Sequence, residues 1–318
     1  MDESWSRART LAEQQHWLLT AEQAWRSGLS PGQVSWRLTS GEWLALMRGV
    51  YLLDADMYDV LPVETWWRAA LLAHGTDACL VGRSASRAHG AQGLPRDEDE
   101  IDVAVVGGEP RSARQLDLPG RPVDGPLVVV RQWPVRADEV VMLGDIRARA
   151  VGPSVVDAAL LLDRPHALCL FDWSLRAGVL DEQALDLLVA GAKRRPGVVH
   201  VRSAAALADG RAASPLESRV RLACVDGNLP PDDLQYEVRD GWGQVVAIGD
   251  LGWHKKRRRP LIAEADGKEP HEKPAAVLHD RRRGNALVLQ CCDTVRFTWS
   301  DALRPVYIQQ VVRAALAA

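Results

Sequence analysis

Between Gln235 and Asp266 the sequence passes through three strand-length runs, Gln235–Arg239, Gln244–Asp250 and Pro260–Asp266, with only short turn-forming stretches between them. A meander is implied. The segment is entered from a helix expected over 215–225, whose start is signalled by Ser214 as N-cap and Pro215 at the first helical position. It is left through a long helix expected at about 275–290, a strand at Thr294–Trp299 and a closing helix from Pro305 to Ala317. The last third therefore reads α-β-β-β-α-β-α.

The rest of the chain is patterned differently, and 318 residues exceed one ordinary core. Near the N-terminus Leu11 to Leu19 form an amphipathic stretch. Thr20-Ala21-Glu22-Gln23 then makes a capping box, and Ser30-Pro31-Gly32-Gln33 repeats the signal after Gly28. Two short strand-like runs follow, at 42–47 and 50–53, giving three helices and a β-wing. Residues 60–210 alternate helices (63–74, 84–90, 153–162, 167–177, 181–192, 200–208) with strands at Ile101–Val106, Leu127–Arg131, Val140–Leu143 and Ile146–Val151. The expectation is a mixed α+β protein of several domains, with boundaries at 1–58, 59–210 and 211–318.

Composition narrows the function classes. Apolar residues at 47% and charged residues at 25% match an ordinary globular protein. A net charge of −3 excludes wholesale electrostatic coating of nucleic acid, so any such contact has to come from local basic patches. The five cysteines are odd in number and scattered, which reads as reduced, buried thiols. No run of about 18 uncharged apolar residues and no leader-like start are present, so the expectation is a cytoplasmic protein without membrane contact.

The meander carries the chemistry. Asp250 ends its second run, while Glu264 and Asp266 end the third and share one face of a strand, because side chains alternate with period two. Mg²⁺ or Mn²⁺ takes such carboxylate oxygens, and the cation polarises a phosphodiester for attack by water. Asp250, Glu264 and Asp266 are the candidate metal ligands, and Lys268 is placed to supply positive charge to the reacting phosphate. The opposing reading is that acids at strand ends form solvated turns. Between Asp250 and Glu264 lies His254-Lys255-Lys256-Arg257-Arg258-Arg259, whose five fixed charges suit a phosphate backbone or else a soluble hairpin tip. His271 is a flanking candidate for acid/base work, for which a surface histidine is the plainer account; Arg281, Arg282, Arg283 and Arg296 are candidates for phosphate contact, a solvated helix face accounting for the first three almost as well.

This order of elements, with Asp250, Glu264 and a neighbouring Asp or Lys, resembles the P-D-(D/E)-x-K nuclease superfamily. Two alignments stay open: Glu264-Ala265-Asp266 in the E-x-K position with an acid replacing lysine, or Asp266-Gly267-Lys268 as D-x-K. The stretch from Pro215-Leu216-Glu217-Ser218 through Glu264-Ala265-Asp266-Gly267 to Val295-Arg296-Phe297-Thr298-Trp299 resembles the very-short-patch-repair-endonuclease-like domain. That likeness implies a C-terminal restriction-endonuclease-like α/β domain, with Glu217 of the first helix joining the metal site. Gly249 stands where the family usually has proline before its first aspartate.

At the other end Gly28-Leu29-Ser30, Arg37-Leu38-Thr39-Ser40-Gly41-Glu42-Trp43 and Arg48-Gly49-Val50-Tyr51 resemble the N-terminal winged helix-turn-helix of AbiEi-type antitoxins of type IV toxin–antitoxin systems. The likeness implies double-stranded DNA as partner and a toxin protein as a further one. Gln33, Trp36 and Arg37 would then read the major groove and Arg48 would support the wing; Trp36 alternatively belongs to the core. Two functions follow: a Mg²⁺-dependent DNA endonuclease, or a non-catalytic DNA-binding regulator of antitoxin type. Nucleotidyltransferase chemistry from Gly82-Arg83-Ser84 and Asp102 is a weaker third, since Asp102-Val103-Ala104 lacks a second acid.

Overall fold

The structure, a computed structural model, describes residues 3–54, 61–96, 99–107, 125–254, 259–267 and 284–318. It is a mixed α+β chain, and it divides into two compact units: Met1–Gly90 with Pro95–Ala158, and Ala91–Leu94 with Ala159–Ala318. The boundaries expected after residues 58 and 210 both fall within a unit.

The first unit begins α1 (Glu3–Gln14), β1 (Leu18–Thr20), α2 (Ala21–Arg26), α3 (Pro31–Thr39), β2 (Leu44–Met47) and β3 (Val50–Leu52), with β1, β3 and β2 forming one sheet in that order. Both capping boxes form: Thr20 Oγ1 accepts from Gln23 N at 3.1 Å and Ser30 Oγ from Gln33 N at 3.3 Å, each glutamine reaching back to the cap N–H at 2.8 Å. The first helix lies earlier than its apolar pattern indicated. His16 and Trp17 take positive φ, which stops α1, and Leu18–Thr20 pairs with β3 instead of continuing a helix. Leu18 and Leu19 are both buried, in different apolar clusters, as alternate faces of a strand require.

The same unit continues with α4 (Val63–His74), β4 (Ala78–Leu80), α5 (Gly82–Ala88), β5 (Glu100–Val105), β6 (Leu127–Val130), β7 (Val140–Leu143) and β8 (Ile146–Arg149), in a five-stranded sheet ordered β6-β5-β4-β8-β7. β4 escaped the sequence reading because it is three residues long and buried throughout, so it shows no alternation. Helix α6 (Val151–Leu161) spans the division between the units.

In the second unit α7 (Arg164–Arg176), α8 (Glu182–Gly191) and α9 (Val198–Ala205) precede α10 (Pro215–Asp226), then β9 (Asp233–Arg239), β10 (Val245–Trp253), β11 (Leu261–Ala265), helical residues 284–289, β12 (Asp293–Phe297), α11 (Trp299–Ala302) and α12 (Pro305–Ala317). The sheet runs β12-β11-β10-β9, antiparallel except for the β11–β12 pair. Ser214 caps α10, its hydroxyl accepting from Glu217 N at 3.2 Å. Leu234, Leu251, Trp253, Leu261 and Ala263 pack with Leu216 and Val220 of α10 and Ile308 and Val312 of α12. Val238, Ala247 and Ile262 form a second cluster with Leu287 and Tyr236. Strict alternation would keep 234, 236 and 238 on one face. Here β9 changes face at Gln235, which has φ 52°, and β10 changes face between Ala247 and Leu251.

Candidate functional site

The antiparallel register that pairs Leu251 with Ala263 places Asp250 beside Glu264 when extended by one step. Asp250 Oδ2 accepts from the Ala265 N–H at 2.7 Å, so its carboxylate is turned toward β11. Glu264 is 2% exposed. Gly249 is what lets the strands close over it, since a Cβ there would lie 2.2 Å from Ile262 Cγ2 and 3.4 Å from Glu264 Oε1.

The first turn of α10 adds a third acid. Glu217 is buried, and its Oε2 accepts from Ala213 N at 2.8 Å and from Gln235 Nε2 at 2.9 Å. Burial, and after it the negative charge of Asp250, hold its carboxyl above the ordinary glutamate range. The contribution of Asp250 ties Glu217 to the pair on the sheet. Helix α10 is fixed by a buried ion pair one turn on, where Arg221 Nη2 meets Asp172 of α7 at 2.7 and 2.9 Å. Asp172 also accepts from Asp209 N at 2.8 Å.

Asp266 goes elsewhere: its backbone N–H bonds Phe297 O at 2.7 Å and its carboxylate faces Arg296 Nη1 at 3.4 Å. Among the described residues no group of three or more His, Cys, Asp and Glu side chains is gathered to hold a metal ion. The sequence-based trio is thus rearranged. Asp250 and Glu264 come together, Glu217 approaches from the helix, and Asp266 is engaged by β12. Lys268, His271 and Arg281 to Arg283 lie outside the described residues, as do Lys255, Lys256, Arg257 and Arg258; Arg259 is described and exposed.

Two of the three expected groove-reading residues of the first unit have structural work. The Gln33 side chain closes the capping box of α3. Arg37, its side chain 14% exposed, stacks its guanidinium 4.7 Å from the Trp5 ring and 5.6 Å from Trp43, and lies 3.7 Å from Glu42. Trp36 is 60% exposed and so is not core, and Arg48 is exposed at the β2–β3 turn.

The middle sheet holds an acid pair not expected from the sequence, because the second acid, Glu100, precedes Asp102 where the motif places it after. Arg83 donates to Asp102 Oδ2 through its backbone N–H at 3.1 Å and Nε at 2.9 Å, and it also meets Glu100. Arg131 adds Nε to Asp102 Oδ1 at 2.8 Å. Burial opposes the Arg83 charge, but Asp102 and Glu100 outweigh it and hold the guanidinium above its ordinary range. Two arginines matched to two acids make a charge-balanced structural knot around the fully buried Asp102.

All five cysteines are unpaired, four of them buried and Cys291 exposed, contrary to the expectation that all were buried. Burial pushes the Cys169 and Cys224 thiols up to about 12. Among the described residues no helix is long and apolar enough to cross a membrane.

No family model matches the chain. Two Mycobacterium tuberculosis proteins, named Uncharacterized protein MT2308 and Uncharacterized protein Rv2248, are each 35% identical to it over 136 residues, which is 43% of this chain and 49% of theirs. The chain thus spans about half the length of the curated relatives it matches. The crystal structure of the RV2827C protein from the same organism covers 74% of this chain and 88% of its own, at 14% identity and a TM-score of 0.41.

Proposed function

We propose that this chain binds double-stranded DNA and hydrolyses its phosphodiesters, with a Mg²⁺ or Mn²⁺ ion held by Asp250 and Glu264 and flanked by Glu217. The observation that carries the reading is the pairing of Asp250 with Glu264 on neighbouring strands, with Glu217 in the first turn of α10 close enough to feel the Asp250 charge. Like charges placed together raise one another's cost of ionisation, and a hard cation relieves it. Two carboxylates suit Mg²⁺, which keeps several waters and takes its remaining ligands from substrate phosphate. When bound, the cation supplies Lewis-acid polarisation of the phosphodiester.

The chain's own residues do the rest. Ala265 N–H fixes the Asp250 carboxylate, Glu264 is locked by burial, and Ala213 N–H with Gln235 fixes Glu217. Lys268 contributes positive charge to the reacting phosphate, and Arg296, beside Asp266, contacts the backbone of the duplex. The α-β-β-β-α-β order supports a restriction-endonuclease-like domain. The order α1-β1-α2-α3-β2-β3 with strands arranged β1-β3-β2 supports a winged helix-turn-helix that presents Trp36 and Arg48 to DNA. Residues 255–259 add phosphate contacts through their charge.

The test is incubation of the purified full chain with supercoiled plasmid and Mg²⁺ or Mn²⁺. Nicked or linear product is expected from wild type and none above background from Asp250→Ala or Glu264→Ala. DNA binding without product, or product unchanged in both variants, replaces the enzyme by a DNA-binding regulator of antitoxin type.

A further inference from the structure

We propose that Gln235 is a positioning residue of the acidic site, whose side-chain amide aims the Glu217 carboxylate at the Asp250–Glu264 pair and thereby sets how tightly a divalent cation is held. The inference rests on reading that pair as a cation site. Three independent features meet at this residue. Its Nε2 donates to Glu217 Oε2 at 2.9 Å, the same oxygen that takes the Ala213 N–H, so the oxygen is pinned from two directions. The ladder pairing Gly249 with Tyr236 and Leu251 with Leu234 leaves Gln235 directly across from Asp250. Its backbone sits at φ 52°, a conformation that costs a non-glycine residue and is rare in a strand.

That conformation also places the site. Because β9 turns over at Gln235, Leu234 packs under α10 while Tyr236 and Val238 pack on the other face. The turnover lets a mid-strand side chain reach the first turn of α10 beside the acids. Glycine would adopt this φ freely but would bring no donor to Glu217. Asparagine tolerates the conformation yet is one methylene short. Glutamine is the side chain that carries an amide donor over the distance observed. Residues that hydrogen-bond a metal-binding carboxylate fix its orientation, and their loss commonly weakens metal binding by about 10–100-fold.

The experiment measures Mn²⁺ affinity of the full chain from the electron paramagnetic resonance signal of the free ion. It compares wild type with Gln235→Met, which keeps length without a donor, and Gln235→Gly, which removes the backbone cost with the side chain. Each is repeated in a Glu217→Gln background. Thermal midpoints are recorded alongside, so that a fold defect is seen separately. We expect both single variants to bind Mn²⁺ about tenfold more weakly, with Gln235→Gly melting no lower than wild type. We expect Gln235→Met to change affinity less than about twofold once Glu217 is altered, since the two act as one unit. Wild-type affinity in Gln235→Met, or an undiminished effect in the Glu217→Gln background, overturns the proposal. Absence of Mn²⁺ binding by wild type itself overturns the cation site, and this proposal with it.

Discussion

Asp172→Ala tests what holds the first turn of α10 in place. The Asp172 carboxylate receives two contacts from Arg221 Nη2, at 2.7 and 2.9 Å, and one from Asp209 N at 2.8 Å, in a site where both charged side chains are almost wholly buried. Truncation strands the Arg221 charge away from water and orphans the Asp209 N–H. Removing one partner of a buried pair costs about 3–5 kcal/mol. At roughly 2–4 °C per kcal/mol for a unit of this size, the thermal midpoint should fall by about 6–20 °C. The assay is the loss of helical circular dichroism on heating, with Asp172→Leu/Arg221→Met as the control. Apolar replacement of a whole buried pair is often neutral or stabilising, so the double variant should melt near wild type. Arg221 lies one turn beyond Glu217 on α10, so Asp172→Ala should also weaken Mn²⁺ binding, and the double variant should restore it. A midpoint shift below about 2 °C in Asp172→Ala, or a double variant that melts no higher than the single one, would show that this ion pair does not hold α10 in place.

Gly249→Ala should destabilise the chain by about 1–3 kcal/mol through overpacking, because its Cβ would meet Ile262 Cγ2 at 2.2 Å; Gly267→Ala, whose nearest neighbours would stand at 3.6 Å, should be close to neutral in the same urea titration. Glu217→Gln should raise the midpoint of the metal-free protein at pH 8 and leave it unchanged at pH 4. The folded carboxyl is held above its ordinary 4.5, so this group's contribution to stability is present below that value and is lost as pH rises through the folded value. A gain confined to low pH would contradict that sign. Trp36→Ala should weaken binding of a short duplex severalfold at low salt while leaving the melting curve in place, as expected for a side chain 60% exposed; an unchanged affinity removes Trp36 from the DNA surface.

The parts of the fold that could be read from sequence are those written in local chemistry. Ser30 with Gln33, and Thr20 with Gln23, state their helix starts in hydroxyl and amide groups that the structure engages as expected. α4 at Val63–His74 matches the sequence reading at both ends, and the meander of β9, β10 and β11 falls on the expected runs to within a few residues. What stayed hidden is set by contacts distant in sequence. Leu18–Thr20 has a helix-compatible pattern and becomes a strand because β3 is there to pair with it. Gln33 and Arg37 occupy the positions expected of groove-reading residues, yet a backbone cap and a stack of tryptophans claim them. For the acidic site, period-two alternation grouped Glu264 with Asp266, but Asp266 lies past the end of β11, where Arg296 engages it. Gln235 carried no signal at all, since neither its positive φ nor its reach to Glu217 follows from its neighbours in sequence.

The most direct test is an anomalous difference map from crystals of the full chain soaked in Mn²⁺. A peak is expected within about 2.0–2.6 Å of carboxylate oxygens of both Asp250 and Glu264, lost in crystals of Asp250→Ala. A map with no peak there, or with the ion bound only at other surface acids, would contradict that expectation.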